Sequence, residues 1–226
     1  INHGVNEDSD DWEKFCKDRV NALGVEFKSW KLTDLSTISE ELLRNKRHQC
    51  FEEWSNKDDL IVTGHHSDDQ VETVLFRIFR GTGLKGLEGI KKFSKVKKLN
   101  FYRPLIDYKK KELLGYAKEN NLHWIEDGSN KDSNFSRNLI RNEVIPTIHK
   151  RWPFISQSLE KITNRASKAQ RILLEVAQED LEKIKSSIET LFIEELKMLS
   201  NERLENLIYY WLIHVFDLKV SSGQMT

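Results

Sequence analysis

The sequence predicts an α/β domain built on a parallel sheet, followed by a long helix and a further helical region. Two observations predict the first part: strand-like runs alternate with helical patterns, and one run, 60–63, leads through a polar turn into a helix. The second part follows because apolar residues beyond Trp152 recur at gaps of three and four. We therefore expect an α/β domain at 1–150, a connecting helix at 151–188 and the start of a helical domain at 189–226.

Composition excludes several classes of protein. The 226 residues are 38% hydrophobic, enough to bury the core of one domain and part of a second. Lys and Arg balance Asp and Glu at 36 each, so any affinity for nucleic acid must come from local patches. Cys16 and Cys50 form no C-x-x-C pair, which is typical of a reduced, cytoplasmic compartment without a zinc or iron–sulfur framework. We recognise no signal peptide and no long apolar run, so no membrane partner is expected.

The first elements are predicted from caps and periodicity. Residues 1–4 are typical of a strand end, and a helix is predicted from Ser9 to Leu23, with Gly24 as its stop. Alternation predicts a short strand at 25–30. A second helix is expected from about 40 to 54, with four residues in its core: Leu43, Cys50, Phe51 and Trp54.

The most informative stretch runs from Gly64 to Gly89 and reads GHHSDDQVETVLFRIFRGTGLKGLEG. It follows a strand, 60–63, that we expect to be buried and central. Ser67 and Gln70 have the spacing of a capping box at the start of a helix. The predicted core face of that helix is Val71, Val74, Leu75, Ile78 and Phe79; another face carries Asp69, Glu72, Thr73, Phe76 and Arg80.

Charged residues crowd the entrance of this helix. Asp69 and Glu72 are three positions apart and therefore adjacent, and the pair His65–His66 precedes them. Asp68, unlike Asp69, is explained best as a surface acid that offsets the helix dipole. The two histidines are open to three interpretations: turn residues, substrate contacts or metal ligands. A dedicated zinc site is disfavoured because adjacent histidines lack the usual spacing, whereas Mg²⁺ arriving with a nucleotide is compatible with the acids.

Four glycines follow the helix. Gly81 alone would be an ordinary left-handed helix cap. Together with Gly83, Gly86 and Gly89 it predicts a loop whose backbone lies close to a binding partner. Three basic residues make that partner anionic in our interpretation: Arg77, Arg80 and Lys85.

The remaining elements are predicted in turn. The lysine-rich run 91–98 is either a solvated face or a contact for RNA phosphates. A strand is expected at 99–105, ended by Pro104, and then a poorly capped helix at about 110–120. A short strand is expected to end at Trp124–Ile125, followed by a polar loop and a helix carrying Leu139, Ile140 and Val144.

The C-terminal third is predicted to be helical. One helix is expected from Ile155 towards Ser187. Its apolar face contains Ile155, Leu159, Ile162, Ala166, Ala169, Leu173 and Val176. Ser200 caps a second helix, with Leu204, Leu207, Ile208, Trp211, Leu212 and Val215 on its apolar face.

The stretch 64–90 closely resembles the signature of the tRNA(Ile)-lysidine synthetases, members of the PP-loop ATP pyrophosphatase superfamily. The segment 123–146, HWIEDGSNKDSNFSRNLIRNEVIP, is similar to the same family: a Trp-x-Glu-Asp strand end and a Ser-Asn loop precede an Arg-Asn-x-x-Arg helix. Gly128 departs from a proline that is frequent there. The resemblance implies a Rossmann-like fold of the adenine nucleotide alpha hydrolase type.

The resemblance also implies a reaction. ATP adenylates the wobble cytidine of tRNA(Ile), and the ε-amine of free L-lysine then displaces AMP to give lysidine. By this resemblance His65, Asp69 and Arg137 are the catalytic candidates, Asp69 and Glu72 with Arg137 bind lysine, and Asp127, Ser129 and Asn130 support them. The loop near the adenylate or tRNA comprises Arg80, Gly81, Gly83 and Gly86. Phosphate or tRNA contacts are assigned to Arg44, Arg47, Lys91, Lys92, Lys95 and Arg141, although Arg141 is also compatible with a surface pair to Glu143 or Asp132.

One family feature does not occur in the chain: the Ser-Gly-Gly-x-Asp-Ser loop that cradles pyrophosphate. We expect it to precede Ile1 by about one strand and helix, and so expect a truncated polypeptide with negligible ATP pyrophosphatase activity of its own. Two alternatives remain: a tRNA thiolation enzyme of the superfamily, which would need paired cysteines, and a non-catalytic RNA-binding fragment, which would not explain the histidine and acid turn. A homodimer is compatible with the sequence, which does not determine the oligomeric state.

Overall fold

A computed structural model describes residues 1–2, 8–32, 40–187, 189–216 and 218. The chain divides into two compact units, which are treated separately below. The first unit is Ile1–Glu72 with Ile90–Pro153, and the second is Thr73–Gly89 with Phe154–Thr226.

Most elements of the described residues are helices. They are α1 (Ser9–Ala22), α2 (Glu40–Trp54), β1 (Leu60–Val62), α3 (Ser67–Phe79), α4 (Leu84–Leu87), β2 (Phe93–Val96), β3 (Leu99–Tyr102), α5 (Lys110–Glu119), a 3₁₀ turn (Gly128–Lys131), α6 (Ser136–Leu139), a π turn (Ile140–Val144), α7 (Ile145–Arg151), α8 (Ile155–Ile184), β4 (Lys185–Ser187), β5 (Thr190–Leu191), α9 (Ile193–Leu196) and α10 (Asn201–His214).

The first unit contains a three-stranded sheet in the order β1-β3-β2. β1 and β3 are parallel, as predicted. β2, which the sequence analysis did not predict, is antiparallel to β3 and joins it through a tight turn. Lys97 in that turn has a φ of 52°, so a left-handed residue reverses the chain inside the lysine-rich run.

The two faces of this sheet differ in burial. Leu99 and Phe101 are buried, and the Phe101 ring lies 6.3 Å from that of Phe51 in α2. On the opposite face, Leu60 and Val62 remain 50% and 59% exposed. The prediction of a buried, central strand at 60–63 is therefore wrong for the described part of the chain, where β1 has β3 as its one neighbour.

Two predicted strands do not form. Residues 25–30 make no strand. An isolated parallel bridge follows them, between Lys31 and Asn2. Residues 124–125 are also irregular, with Trp124 exposed. An alternating pattern suits a strand, but a strand also needs a partner distant in sequence, which the pattern does not supply. The predicted strand end at 1–4 lies largely outside the described residues.

Helix α3 starts where predicted, but its first turn is capped differently. The Asp69 carboxylate accepts a hydrogen bond from the backbone N–H of His66 at 2.8 Å. Gln70 instead exchanges two hydrogen bonds with the backbone of Ile90. The predicted Ser67–Gln70 capping box is thus wrong, and Gln70 anchors the start of the next segment. Of the predicted core face, Val71, Val74 and Leu75 are buried, whereas Ile78 and Phe79 are exposed.

Helix α5 spans the predicted residues and is better capped than expected. Glu112 accepts from the backbone N–H of Lys109 at 2.6 Å. Asp68, at the start of α3, accepts from the N–H of Lys110 at 2.7 Å. Asp68 therefore caps a second helix as well as lying in the first turn of its own.

The segment 136–151 is helical throughout but widens into a π turn at its centre. Pro146 occupies the first turn of α7 and has no backbone N–H to donate. A locally widened turn accommodates such a residue without ending the helix. The π turn carries Arg141, and α6 carries Arg137.

In the second unit the long helix α8 packs against α4 and α10. Its buried positions include Leu159, Ala166 and Ala177, while Ile162 and Leu173 of the predicted face are exposed. Ala166 and Ala177 are eleven residues apart, which is three turns of an undistorted helix. The predicted face repeats every seven residues, so its later members, such as Leu173, turn away from the buried side. Helix α10 begins as predicted, with the Ser200 hydroxyl accepting from the N–H of Arg203.

Among the helices in the described ranges, none combines the length and apolarity that a membrane span requires.

Candidate active site in the first unit

The candidate site lies at the carboxyl ends of the two parallel strands. Strand pairing continues past β1, because the N–H of Thr63 donates to the carbonyl of Tyr102 at 3.0 Å. The N–H of Ser67 donates to the carbonyl of Tyr108 at 2.9 Å. The His65–His66 turn is therefore held between β1 and α3, at the sheet edge where open α/β folds bind ligands.

A two-point ion pair forms the centre of the site. Arg141 Nε and Nη2 donate to the two carboxylate oxygens of Glu72 at 2.6 and 2.7 Å. Glu72 is 2% exposed and Arg141 32%. These hydrogen bonds to Glu72 raise the pKa of Arg141, so the guanidinium stays charged despite partial burial. The alternative partners for Arg141, Glu143 and Asp132, are not the ones it contacts here.

Asp69 lies beside this pair and makes fewer short hydrogen bonds than Glu72 does. One of its oxygens accepts from the N–H of His66, and the other is 3.5 Å from Arg141 Nη2. The His66 ring Nδ1 is also 3.5 Å from Asp69. Because both Glu72 oxygens already accept short hydrogen bonds from Arg141, Asp69 is the carboxylate better able to take a further cation.

The polar loop after residue 126 supports Arg141 from the other side. Asn130 Oδ1 lies 3.4 Å from Arg141 Nη1, and the backbone carbonyl of Asn130 accepts from Asn142. Asp127 caps this 3₁₀ turn by accepting from the N–H of Ser129 at 2.8 Å. Asn138 donates to the carbonyl of Ser129 at 2.9 Å. The predicted supports are therefore connected to the site through backbone and amide contacts.

His65 is held by Thr63, whose hydroxyl is 2.8 Å from the ring Nδ1. Burial lowers the pKa of His65 below its ordinary value of 6.5, and the nearby Asp69 opposes this effect. Arg103, Arg47 and Arg137 are close enough to lower the pKa of His65 further. His65 is consequently neutral at neutral pH and lies among several arginines.

The other predicted contacts are distributed over the first unit. Arg44 and Arg47 are exposed on α2, one helical turn apart, and His48 follows Arg47 directly. Lys92 forms an ion pair with Asp107 at 2.6 Å, and Lys95 is exposed on β2 opposite Asn100. The backbone carbonyl of Lys91 accepts from Arg103.

The glycine-rich loop belongs to the second unit. Gly81 and Gly89 have φ angles of 70° and 65°, so both need the left-handed region. Gly83 precedes the short helix α4, and a Cβ on Gly86 would overlap the Thr82 side chain. Arg77 donates to the carbonyls of Gly86 and Gly89 at 2.8 and 2.9 Å, so what the loop backbone approaches is Arg77. Arg80 lies over the ring of Phe76.

Metal ligation has little support in this arrangement. In the parts of the chain that the structure describes, no three His, Cys, Asp or Glu side chains form a group suited to a metal ion. Glu72 has both oxygens occupied by Arg141, and one oxygen each of Asp69 and Asp68 accepts from the backbone N–H of His66 or Lys110, so the acids do not supply the several free ligands that a resident metal needs. These residues do not fit a resident metal.

Three residues that shape the candidate site were not predicted from the sequence. Thr63 positions His65, Asn142 holds the loop at Asn130, and Arg103 follows β3 at the same sheet edge as His65. Arg103 had a usable signal, since a polar residue directly after a strand of a parallel pair lies at the ligand-binding edge. The roles of Thr63 and Asn142 depend on contacts that no local pattern indicates.

The family described as PP-loop domain matches residues 1–148, and the chain belongs to that family. The α/β fold of the first unit is the fold that this family implies.

Curated proteins with a named activity match most of this chain. The chain is 35% identical over 213 residues to a tRNA(Ile)-lysidine synthase of Legionella pneumophila (strain Lens), covering 94% of this chain and 49% of that protein. It is 34% identical over 222 residues to the tRNA(Ile)-lysidine synthase of Coxiella burnetii, covering 96% and 49%. For the Pseudomonas syringae protein of the same name the identity is 32% over 220 residues. The chain spans about half the length of the curated relatives it matches.

Proposed function

We propose that this chain provides the lysine-binding and cytidine-activating part of a tRNA(Ile)-lysidine synthase. In the proposed reaction ATP adenylates the C2 oxygen of the wobble cytidine with release of pyrophosphate. The ε-amine of L-lysine then attacks C2, the C2–N bond forms, and AMP leaves. The relatives' names support the reaction class, and the acidic entrance of α3 is the single observation that carries the assignment to residues.

Charge balance at that entrance favours an ammonium ligand. The guanidinium of Arg141 contacts two carboxylates, those of Asp69 and Glu72, and Asp68 raises the pKa of Arg141 from further away. Glu72 and Arg141 neutralise each other, which leaves Asp69 as a partly buried anion, 16% exposed, beside a polar loop. A carboxylate in such a place binds an ammonium by a charge-assisted hydrogen bond and can accept its proton when the amine attacks.

Neighbouring residues fit the remaining steps. His65 is neutral and can accept a proton or donate a hydrogen bond near the activated carbonyl. Arg137 is close enough to His65 to affect its ionisation, and its positive charge suits the substrate carboxylate or the adenylate phosphate. Glu72 is assigned here a positioning role through Arg141, in addition to the lysine contact that the resemblance implies.

The proposal treats ATP, tRNA(Ile) and L-lysine as substrates. Because the described residues do not fit a resident metal, Mg²⁺ would accompany the ATP phosphates rather than occupy a protein site. The proposed enzyme acts in the cytoplasm, and its sequence is compatible with a homodimer. The free cysteines, Cys16 exposed and Cys50 buried, are compatible with a reducing compartment.

The test is lysine incorporation into tRNA(Ile) by the polypeptide of the complete reading frame, with Asp69→Asn as the variant. We expect kcat/KM for lysine to fall by about 100-fold or more, because a charge-assisted contact and a proton acceptor are both lost. Arg137→Ala should abolish incorporation as well. Asp11→Asn is the matched control, since Asp11 is an exposed acid in the first turn of α1.

Full incorporation by Asp69→Asn would overturn the assignment of the lysine site. Absence of lysine-dependent AMP release from the unaltered polypeptide would overturn the reaction itself.

A further inference from the structure

We propose that three basic residues on the outer face of helix α8, in the second unit, bind the phosphate backbone of the tRNA. They are Lys161, Arg165 and Lys168, and they are called the basic row below. The inference rests on the proposed function for the identity of the RNA. It adds to that function a surface that holds RNA by charge alone, without reading its sequence.

The basic row lies on the solvent side of α8. Leu159 and Ala166 are buried, and Lys161 and Lys168 each follow one of them by two positions. Two positions turn an α-helix by about 200°, so the two lysines lie on the side opposite to the buried residues. All three members of the row are exposed. The row is therefore accessible to a large polyanion.

The row lacks the acids that offset such charges on ordinary surface helices. Positions 161–174 contain four basic residues and no Asp or Glu. Glu160 precedes Lys161 directly, and residues at neighbouring positions of a helix do not face each other. Among the described residues of the second unit, ion pairs form at other basic residues: Lys185, Lys197 and Arg203. The charge of the row is thus left uncompensated within its helix.

This clustering of like charges is unfavourable for the helix by itself. Lys161 and Arg165 are four positions apart, and Arg165 and Lys168 are three apart, so their side chains are neighbours that repel each other. Arg171, three positions further on, extends the series. From Lys161 to Arg171 the helix rises by about 15 Å, a length over which several successive phosphates of one strand can be neutralised. Binding of such a strand would remove the repulsion.

The neighbouring helix α10 keeps its acids away from the row. Arg203 donates to Asp180 at 3.0 Å, and Asn206 donates to the carbonyl of Leu173 at 2.8 Å. Higher numbers in α10 therefore meet lower numbers in α8, so the two helices are antiparallel and 206–214 run back towards the basic part of α8. That part of α10 contains no Asp or Glu. The acids of α10 precede it: Glu202 and Glu205.

The acidic part of α8 lies at the same end as the acids of α10. Its members follow the basic residues along the helix: Glu175, Glu179, Asp180 and Glu182. One end of this helix pair is consequently basic and the other acidic. A separation of charge of this kind attracts a polyanion to one end alone, and the phosphate backbone of RNA is the polyanion that the proposed reaction supplies.

The experiment measures the affinity of a tRNA(Ile) transcript for the polypeptide of the complete reading frame over a range of KCl concentrations. The test variant replaces the whole row: Lys161→Gln, Arg165→Gln and Lys168→Gln. We expect its affinity to fall by about 10- to 100-fold at low salt, and the slope of log K against log salt to become shallower by about 2 to 3. In lysine incorporation, KM for tRNA should rise while kcat and KM for lysine stay unchanged.

Two matched variants separate this effect from a folding defect and from a change in net charge. The first removes the same charge from exposed positions of α1: Lys14→Gln, Lys17→Gln and Arg19→Gln. It should keep the affinity and the salt slope of the unaltered protein. The second keeps the charge of the row, as Lys161→Arg with Lys168→Arg, and should bind tRNA normally because phosphate contacts depend on charge.

Unchanged tRNA affinity and salt slope in the row variant would overturn the proposal, and so would an equal loss in the α1 variant. Loss of binding to vesicles of anionic phospholipid, with tRNA affinity unchanged, would assign the row to a membrane surface and overturn the RNA assignment. If the row variant loses tRNA affinity as expected while the unaltered polypeptide incorporates no lysine, the proposed function fails and the RNA-binding surface stands.

Discussion

Two buried carboxylates, one in each unit, pair with arginine in nearly the same way but in different surroundings. In the second unit Asp180 of α8 is 2% exposed and accepts from both Nε and Nη2 of Arg203 of α10. In the first unit Glu72, also 2% exposed, accepts from Nε and Nη2 of Arg141. Both pairs join elements that are distant in sequence.

The neighbours distinguish the two pairs. Asp180 lies on a face whose other buried members are apolar, such as Ala177 and Ile184, and the pair joins two helices. The further acid that acts on Arg203 is Glu179, which is exposed. Around Glu72 and Arg141 there are a second carboxylate at 3.5 Å, an asparagine and a histidine turn. The same two-point contact is therefore structural in one unit and part of a candidate binding site in the other, and the surrounding charges decide which.

The largest expected effect comes from Arg141→Met. It leaves the Glu72 carboxylate buried with both oxygens unpaired, so we expect a loss of about 3 kcal/mol in the free energy of unfolding. Lysine incorporation should fall with it. Urea unfolding followed by circular dichroism measures the first effect and incorporation into tRNA(Ile) the second.

The control is to remove both partners in each unit. Glu72→Gln with Arg141→Met should recover much of the stability, because no buried charge remains, without restoring incorporation. Asp180→Leu with Arg203→Met should recover stability and keep incorporation. Equal behaviour of the two double variants would contradict the distinction drawn between the pairs.

An intermediate effect is expected from pH. Burial lowers the pKa of both His48 and His65 in the first unit below the ordinary value of 6.5. The unfolded chain therefore binds more protons as the pH falls below about 6.5, and stability is full above that value and declines below it. Unfolding in urea at pH 7.5 and 5.5 should show the decline, and His65→Gln should reduce it. A decline of the same size in the His65→Gln variant would remove His65 as its source.

The smallest effect is expected at an exposed pair. Lys197 and Glu194 are 2.8 Å apart, with side chains 63% and 83% exposed. Glu194→Gln should change the free energy of unfolding by less than about 0.5 kcal/mol, because water and salt screen exposed ion pairs. A larger change in urea unfolding would mean that burial is not what separates the strong pairs from the weak ones.

Helix positions and the candidate acids were predictable from the sequence. The bounds of α1, α2, α3 and α5 agree with the predictions to within a few residues, since helix signals are local. The adjacency of Asp69 and Glu72 follows from the same helical geometry. The family resemblance of 64–90 and 123–146 agrees with the match over 1–148.

Contacts between distant residues were not predictable in this way. Glu72 and Arg141 are 69 positions apart, and nothing in either segment alone indicates that they pair. Gln70 suited a local capping box, but the Ile90 backbone, 20 positions away, binds it instead. The strand predicted at 25–30 failed for a related reason, since strand pairing is itself a contact between distant residues.

Local patterns were therefore enough for the helices and for the acidic entrance of α3, and the resemblance of two segments indicated the family. The tertiary structure alone decided which carboxylate holds Arg141 by two hydrogen bonds, which one lies 3.5 Å from it, and that Arg103 follows β3 at the sheet edge where His65 lies. The physical reason is the range of the interactions involved. Helical order depends on residues three and four apart, whereas the charge state and availability of a side chain depend on whatever the folded chain brings within a few ångströms of it.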